Sequence, residues 1–252
     1  MSKLSAVVSA RNEEGRLAAC LERLTFADEV VVLLDRCTDN TRAVAAKFTD
    51  RIVEGAWALE GDRRNAAIDA CAGDWILEVD ADEHVPDALA GEIRRTIEIT
   101  PFDWHEILVD NYIGERLVRH GWGASYGKAA YPGLFRKGVK RWGPQRVHPS
   151  LTWNAPNGKG PMLANRLNHY VDRNVSDMLR RLDSYSSARG RDLRDAGIRG
   201  SLVNDTRRIF SRFFKCYVSR KGYREGGYGL LIALFAGLYP IISTIKSRVD
   251  EN

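Results

Sequence analysis

The feature that most restricts the fold is an alternation in the N-terminal third of the chain. Short runs of apolar residues are each followed by a polar cluster, and then by apolar residues at helical spacing. Leu4–Ser9 is such a run, ended by Arg11-Asn12-Glu13-Glu14; Leu17, Cys20, Leu21 and Leu24 then fall at i, i+3, i+4 and i+7. The cycle repeats with Val30–Leu34, the polar loop Asp35–Asn40, and a second helical face at Thr41, Val44, Ala45 and Phe48. A third strand is expected at Arg51–Val53, a helix near Asp62–Cys71, and a fourth strand at Trp75–Val79. Strands with no polar face are covered on both sides, so the pattern reads as α/β, a mainly parallel central sheet with helices on both faces. Such sheets take ligands at the carboxyl ends of their strands. The clusters Arg11–Glu14, Asp35–Asp39 and Asp80-Ala81-Asp82-Glu83 fall there.

No G-x-G-x-x-G follows the first strand and no G-x-x-x-x-G-K-[ST] occurs, which argues against a dinucleotide-binding dehydrogenase and a P-loop enzyme. Asp80-x-Asp82 carries the most chemistry. On an extended backbone two carboxylates at i and i+2 leave on one side, and hard oxygen ligands suit Mg²⁺ or Mn²⁺, which could hold a diphosphate. A solvated acidic loop before the helix starting near Pro86-Asp87 is the alternative. Asp39 and Asn12 also read as helix caps, and Arg63 and Arg64 as a solvated helix face. Acidic groups for a ribose or base, basic groups for phosphate and a carboxylate pair would nonetheless share one sheet edge.

The remainder of the chain has a different character. Net charge is +5, but residues 173–224 hold fourteen Arg/Lys against five Asp, and Thr206–Arg224 has seven positive charges and no negative one. Arg207, Arg208, Arg212 and Lys215 interleave with Phe210, Phe213, Phe214 and Tyr217, spaced as a single aromatic face of a basic amphipathic helix. Gly226–Ile245 then carries no charge over twenty residues, although its glycines and Pro240 make a poor regular span. The expectation is a membrane-embedded hairpin or interfacial helix, ahead of a transmembrane helix and then a buried core helix. Anionic lipid, rather than nucleic acid, is the expected anionic partner. Cys20, Cys37, Cys71 and Cys216 form no C-x-x-C pair, which indicates neither zinc knuckle nor disulfide framework. The first strand begins directly after Met-Ser-Lys, so the N-terminus is expected to stay in the cytoplasm.

Together these motifs resemble a family 2 glycosyltransferase of the GT-A fold, within the branch that builds lipopolysaccharide core and related envelope glycans. The residues that carry the resemblance are Val7–Glu14, Ala27–Val32, Asp35-x-x-Thr38-Asp39-x-Thr41, Arg64-Asn65-x-Ala67 and Asp74-Trp75-Ile76-Leu77-x-x-Asp80-Ala81-Asp82-Glu83. It continues more thinly through Asn111-Tyr112-x-Gly114, Val118–Trp122 and Leu134–Gly138, an acceptor-side half, and His169 stands where the pattern tends to have a His. The resemblance implies a metal-dependent, inverting transfer of a sugar from a nucleotide-sugar donor to a lipid-linked glycan acceptor at the cytoplasmic face of the inner membrane. It implies donor binding by Ala10, Arg11, Asn12, Glu13, Asp35, Arg64 and Asp80, and a Mg²⁺ or Mn²⁺ ion on Asp80 and Asp82. The expected division is a glycosyltransferase domain over 1–170, its nucleotide-sugar half 1–100 and acceptor half 101–170, followed by a helical membrane-associating extension over 171–252.

One departure concerns the base. Where the branch has Val-His-Glu this chain has Val147-His148-Pro149, and proline cannot take a proton. His148 has the intrinsic pKa range for that role, with a structural His the competing reading; His120, Glu106, Asp110 and Glu115 are further candidates, and Glu83 reads as a supporting residue or cap. A catalytically impaired nucleotide-sugar or glycan-binding protein of the same fold is the alternative function.

Overall fold

The computed structural model describes residues 1–123, 126–146 and 149–249. The chain divides into two compact units, one of Met1–Val109, Ala130–Gln145 and Pro149–His169, the other chiefly of Asp110–Ala129 and the chain from Tyr170 onward.

The first unit begins with the expected alternation: β1 Leu4–Ala10, α1 Leu17–Leu21, β2 Glu29–Asp35, α2 Thr41–Ala45, β3 Ile52–Gly55, α3 Glu60–Asp69, β4 Trp75–Asp80, β5 Glu83–His84 and α4 Asp87–Ile99. It continues through β6 Trp104–Ile113, whose end lies in the second unit with β7 Arg116–Val118, then β8 Ala130–Arg136, β9 Lys140–Trp142, β10 Leu151–Trp153 and β11 Arg166–Asp172, which also ends in the second unit. Strand order in the main sheet is β3-β2-β1-β4-β8-β6-β11-β5. The pairs β1-β2, β1-β4 and β2-β3 are parallel, whereas β4-β8, β6-β8 and β11-β5 are antiparallel. The expected parallel sheet thus spans the N-terminal strands, and the later ones extend it with reversed direction.

Period-two alternation decides which residues meet which helices. Leu4, Ala6, Val8 and Ala10 of β1 join Val32 and Leu34 of β2 and Trp75, Leu77 and Val79 of β4 in a core with Leu17, Leu21, Leu89 and Ile93 from α1 and α4. On the opposite face Val7, Val31, Leu33 and Ile76 pack with Ala67 and Ile68 of α3. Glu78 and Asp80 share the register of Ile76 and so lie on the α3 side. β4 is therefore apolar on one face only beyond Ile76.

In the second unit α5 Val175–Asp195, α6 Leu202–Phe214 and α7 Gly227–Val249 pack together. Asn174 caps α5 by accepting from the Asp177 N–H, and Ser201 caps α6 by accepting from that of Asn204. The core comprises Met178, Leu182, Cys216, Ile232, Ala233, Phe235, Ala236 and Tyr239 with Ile113, Val118, Trp122 and Tyr126.

Two expectations for this region are corrected. The charge-free segment makes no hairpin; it is one helix running through Pro240, with Ile232, Phe235, Ala236 and Tyr239 buried against its neighbours. Packing over many residues outweighs the ~3 kcal/mol that an interior proline costs. The four aromatics do not present one exposed face either. Phe213 and Tyr217 stack at 5.3 Å and pack on the core, while Phe210 and Phe214 are 71% and 59% exposed. An i, i+3, i+4, i+7 set spans a stripe of about 100°, so the core can claim one edge of it and leave the other exposed, and here α6 also widens into a π-turn at Lys215–Ser219.

Candidate functional site

The loops at the carboxyl ends of β1 and β2 are tied together by side chains. Asn12 adopts φ +55° and its Oδ1 accepts from the Thr38 N–H at 2.8 Å; the Glu13 N–H donates to Thr41 Oγ1 at 2.8 Å, and the Asn40 N–H to Glu14 Oε2 at 2.9 Å. Asp39 accepts from the N–H groups of Thr41 and Glu14. Asp39 therefore holds the start of α2, as expected of a helix cap, and also joins two loops. Asn12 caps no helix, since α1 begins only at Leu17. Ala10 is buried at the end of β1 and Arg11 is exposed beside it.

Asp35, at the end of β2, is 2% exposed. Both its oxygens accept from Arg36, Nε and Nη2 each at 2.8 Å, and the Trp57 N–H donates to Oδ1 at 3.2 Å. Arg36 reaches its own neighbour from a φ of +50°, a left-handed conformation that costs a non-glycine residue roughly 1–2 kcal/mol. Burial works to raise the Asp35 pKa, but the Arg36 and Trp57 hydrogen bonds and the charges of Arg36 and Arg63 outweigh it, so the carboxyl ionises more readily than usual. Arg63 lies 3.9 Å from Asp35 and is no solvated residue.

The centre of the site is Arg64. Its Nε donates to Glu60 at 2.9 Å, Nη2 lies 3.3 Å from Asp80 Oδ1, and Nη1 is 3.9 Å from Glu78 Oε1. Desolvation opposes the charge, yet the three carboxylates hold the guanidinium pKa well above its ordinary value. Asn65 explains why α3 sits so close: its side chain accepts from the Trp142 N–H and donates to the Trp142 carbonyl, both at 2.9 Å. Two residues outside the sequence-read set stand behind Arg64. Lys140, with no exposed surface, donates to Glu78, and Trp142 Nε1 donates to Glu78 Oε1 at 3.0 Å. Glu78 interrupts an apolar strand, the one sequence signal that could have marked it.

Asp80 ends β4, but Asp82 lies in the turn that follows, so the two acids are not successive residues of an extended strand. Glu83 holds that turn by accepting the Asp80 N–H at 2.9 Å. Asp82 Oδ2 is 3.5 Å from His169 Nε2 and 3.7 Å from Arg16. Burial raises the Glu13 pKa, the Asp82 charge adds to this, Arg16 opposes it, and Asp39 and Asp80 contribute smaller increases. The groups that would hold a Mg²⁺ or Mn²⁺ ion are thus hard carboxylate oxygens with one imidazole nearby. Among the described residues no three His, Cys, Asp or Glu side chains form a cage on their own. That donor set fits a cation bound through one or two carboxylates, with substrate phosphates and water completing its coordination.

Several of the candidates for a base have their own partners. Val147 and His148 lie outside the described residues. Glu106 accepts from Lys159 at 2.8 Å, and Asp110 is paired with Arg119, whose Nη2 is 2.9 Å away. The His120 N–H donates to Glu225 Oε1, and Glu115 is exposed.

Comparison with known proteins identifies the family. Residues 5–137 match the family described as glycosyl transferase family 2. The chain is similar to an uncharacterized glycosyltransferase of Rickettsia felis, 24% identical over 98% of this chain and 90% of the relative. It is also similar to the lipopolysaccharide core biosynthesis glycosyltransferase LpsC of Rhizobium meliloti, 24% identical over 96% of this chain and 91% of the relative. Among solved structures, S. aureus TarS 1-349 in complex with UDP-GlcNAc matches in fold with a TM-score of 0.53, at 14% identity over 97% of this chain and 88% of that one. With the family match covering more than half of its length, this chain belongs to glycosyl transferase family 2 and is a nucleotide-sugar glycosyltransferase of the GT-A fold.

Proposed function

We propose that the chain transfers a sugar, with inversion, from a nucleotide-sugar donor to a lipid-linked glycan of the cell envelope, such as lipopolysaccharide core. The observation that carries this reading is the contact of Arg64 with Asp80 at the end of β4, with Asp82 in the turn that follows beside Arg16, where the adjoining strands β1 and β2 end in the loops of Asn12–Glu14 and Asp35. Arg64 supplies a fixed positive charge where the leaving diphosphate gains negative charge, and Asp80 and Asp82 are the residues that would hold Mg²⁺ or Mn²⁺. A divalent ion there supplies further charge neutralisation to the departing nucleoside diphosphate. Ala10, Arg11, Asn12, Glu13 and Asp35 line the nucleotide side, with Arg36 and Trp57 fixing Asp35. The acceptor hydroxyl forms the new bond to the anomeric carbon as the sugar–phosphate bond breaks, and its proton passes to a base, for which His148 is proposed.

The likeness to LpsC supports an envelope-glycan acceptor. The tail supports work at the cytoplasmic face of the inner membrane. One side of α7 is buried in its unit; the other presents Leu230, Leu234, Ile245 and Val249, each at least 38% exposed, beside the basic α6 with its outward Phe210 and Phe214. An interfacial helix on anionic lipid fits this division better than a bilayer span.

The test is release of nucleoside diphosphate from a panel of sugar nucleotides, with and without membrane lipids as acceptor. Asp80→Ala and Asp82→Ala are expected to lower kcat by about 100-fold or more, the scale for removing an electrostatic stabiliser of the leaving group. Unchanged turnover in both variants sinks the metal role. Pro149 favours one other outcome, donor binding with no turnover on any competent acceptor, which would mark a binding protein; His148→Ala then has no activity to remove.

A further inference from the structure

We propose that Lys140 is a positioning residue for the donor diphosphate: by neutralising Glu78 from behind, it keeps the charge of Arg64 available to the leaving group. The inference rests on the donor-site reading above.

Arg64 has three carboxylates within reach, Glu60 at 2.9 Å, Asp80 at 3.3 Å and Glu78 at 3.9 Å. If all three drew on it equally, the guanidinium would be committed to protein acids and poorly placed for phosphate. Glu78 is only 5% exposed, so its charge must be met inside the fold. Lys140 Nζ meets it on Oε2, and Trp142 Nε1 on Oε1. Arg64 accordingly stands off Glu78 by a full ångström more than it does from Glu60. Once Asp80 serves a cation, Glu60 remains as the main competitor for the guanidinium.

Lys140 cannot touch substrate. It is fully buried, its Nζ also donates to the Pro132 carbonyl at 2.8 Å, and it lies 4.4 Å from the Trp142 ring centroid and 4.7 Å from that of Phe135. Trp142 joins the two halves of the arrangement, since Arg64 lies over the same ring at 5.1 Å and Asn65 clamps the Trp142 backbone. A buried ion pair alone is weak grounds for stability, because apolar residues of like volume often serve as well. Its connection through Glu78 to Arg64 is what gives this pair a role in the site.

The experiment is calorimetric titration of the full-length chain with UDP and with inorganic pyrophosphate, each with Mg²⁺, alongside thermal melts. Lys140→Met leaves Glu78 to draw in Arg64 and is expected to weaken binding about tenfold. Glu78→Gln removes the competing carboxylate and is expected to weaken it by no more than about twofold, and Lys140→Met with Glu78→Gln to restore it to within about threefold of wild type. A purely structural pair predicts otherwise: each single variant strands a buried charge, so both lose affinity in step with stability, and that result overturns the proposal. Should Lys140→Met not fold, Trp142→Phe removes one donor to Glu78 and is expected to cause a smaller loss that Glu78→Gln cancels; no loss overturns it. If Arg64→Ala binds as wild type does, or wild type binds neither probe, the donor-site reading falls first and this inference with it.

Discussion

At the scale of single residues, the site depends on positions whose side chains never reach a substrate. Gly61, on the first turn of α3, is an example: a Cβ there would lie 1.8 Å from the Gly143 carbonyl oxygen. Alanine gains about 1 kcal/mol of helix propensity over glycine, but two backbones would have to part to admit it. Gly61→Ala is therefore expected to destabilise the chain by a net ~1–3 kcal/mol and, because α3 carries Arg64, to raise the donor KM; melting temperature and donor KM together check this. Asn65 is comparable. It belongs to the motif Arg64-Asn65-x-Ala67, and its amide oxygen and amide nitrogen both bond to the backbone of Trp142. The motif names the residue, but only the fold says that Asn65 serves by holding α3 against β9.

At the scale of elements, acids lock one segment to another. Glu29, at the start of β2, accepts from Ser5 Oγ and the Ala72 N–H, and Glu92 of α4 accepts from the N–H groups of Ala164 and Asn165 at 2.7 and 2.8 Å. In each, burial works to raise the pKa but the hydrogen bonds lower it further, so the folded value lies below the ordinary 4.5. The sign follows from linkage: their stabilisation is fully present above the unfolded value and is lost as pH falls through the lower folded one. Melting temperature is expected to decline on acidification below about pH 4.5, and Glu92→Gln to lower it at pH 7 by the equivalent of ~1–2 kcal/mol while flattening the acid limb. A variant whose acid limb matches wild type would show that Glu92 is not responsible. Element order in the nucleotide half was legible because covered strands and helix faces leave different periods in the sequence. The aromatic face of α6 was not, because helical spacing does not say which side the rest of the unit will cover.

For the whole molecule, the net charge of +5 conceals a basic, then apolar, C-terminal region. The proposed membrane surface predicts that full-length protein sediments with vesicles containing phosphatidylglycerol, but not with phosphatidylcholine alone, and that salt releases it, each surface Lys or Arg contributing about 1 kcal/mol. Replacing Phe210 and Phe214 with Ser is expected to weaken that binding at least about tenfold, while thermal stability changes by less than about 0.5 kcal/mol because both rings are exposed. Protein left in the supernatant with anionic vesicles at low salt counts against the surface. Several features of this protein followed from sequence alone: the βα alternation, the strand-end clusters and the family. Each is written in local periodicity or in a short motif, and each reflects backbone and side-chain preferences over a few residues. Tertiary structure alone decided the rest. It put Asp82 in a turn beside His169 and Arg16, turned Arg36 back on Asp35, carried α7 unbroken through Pro240, and placed Lys140 behind Glu78, 62 residues away in the chain. These depend on which faces become buried together, and burial is a property of the assembled chain: a lysine reads as solvated in the sequence until a sheet and a helix close over it.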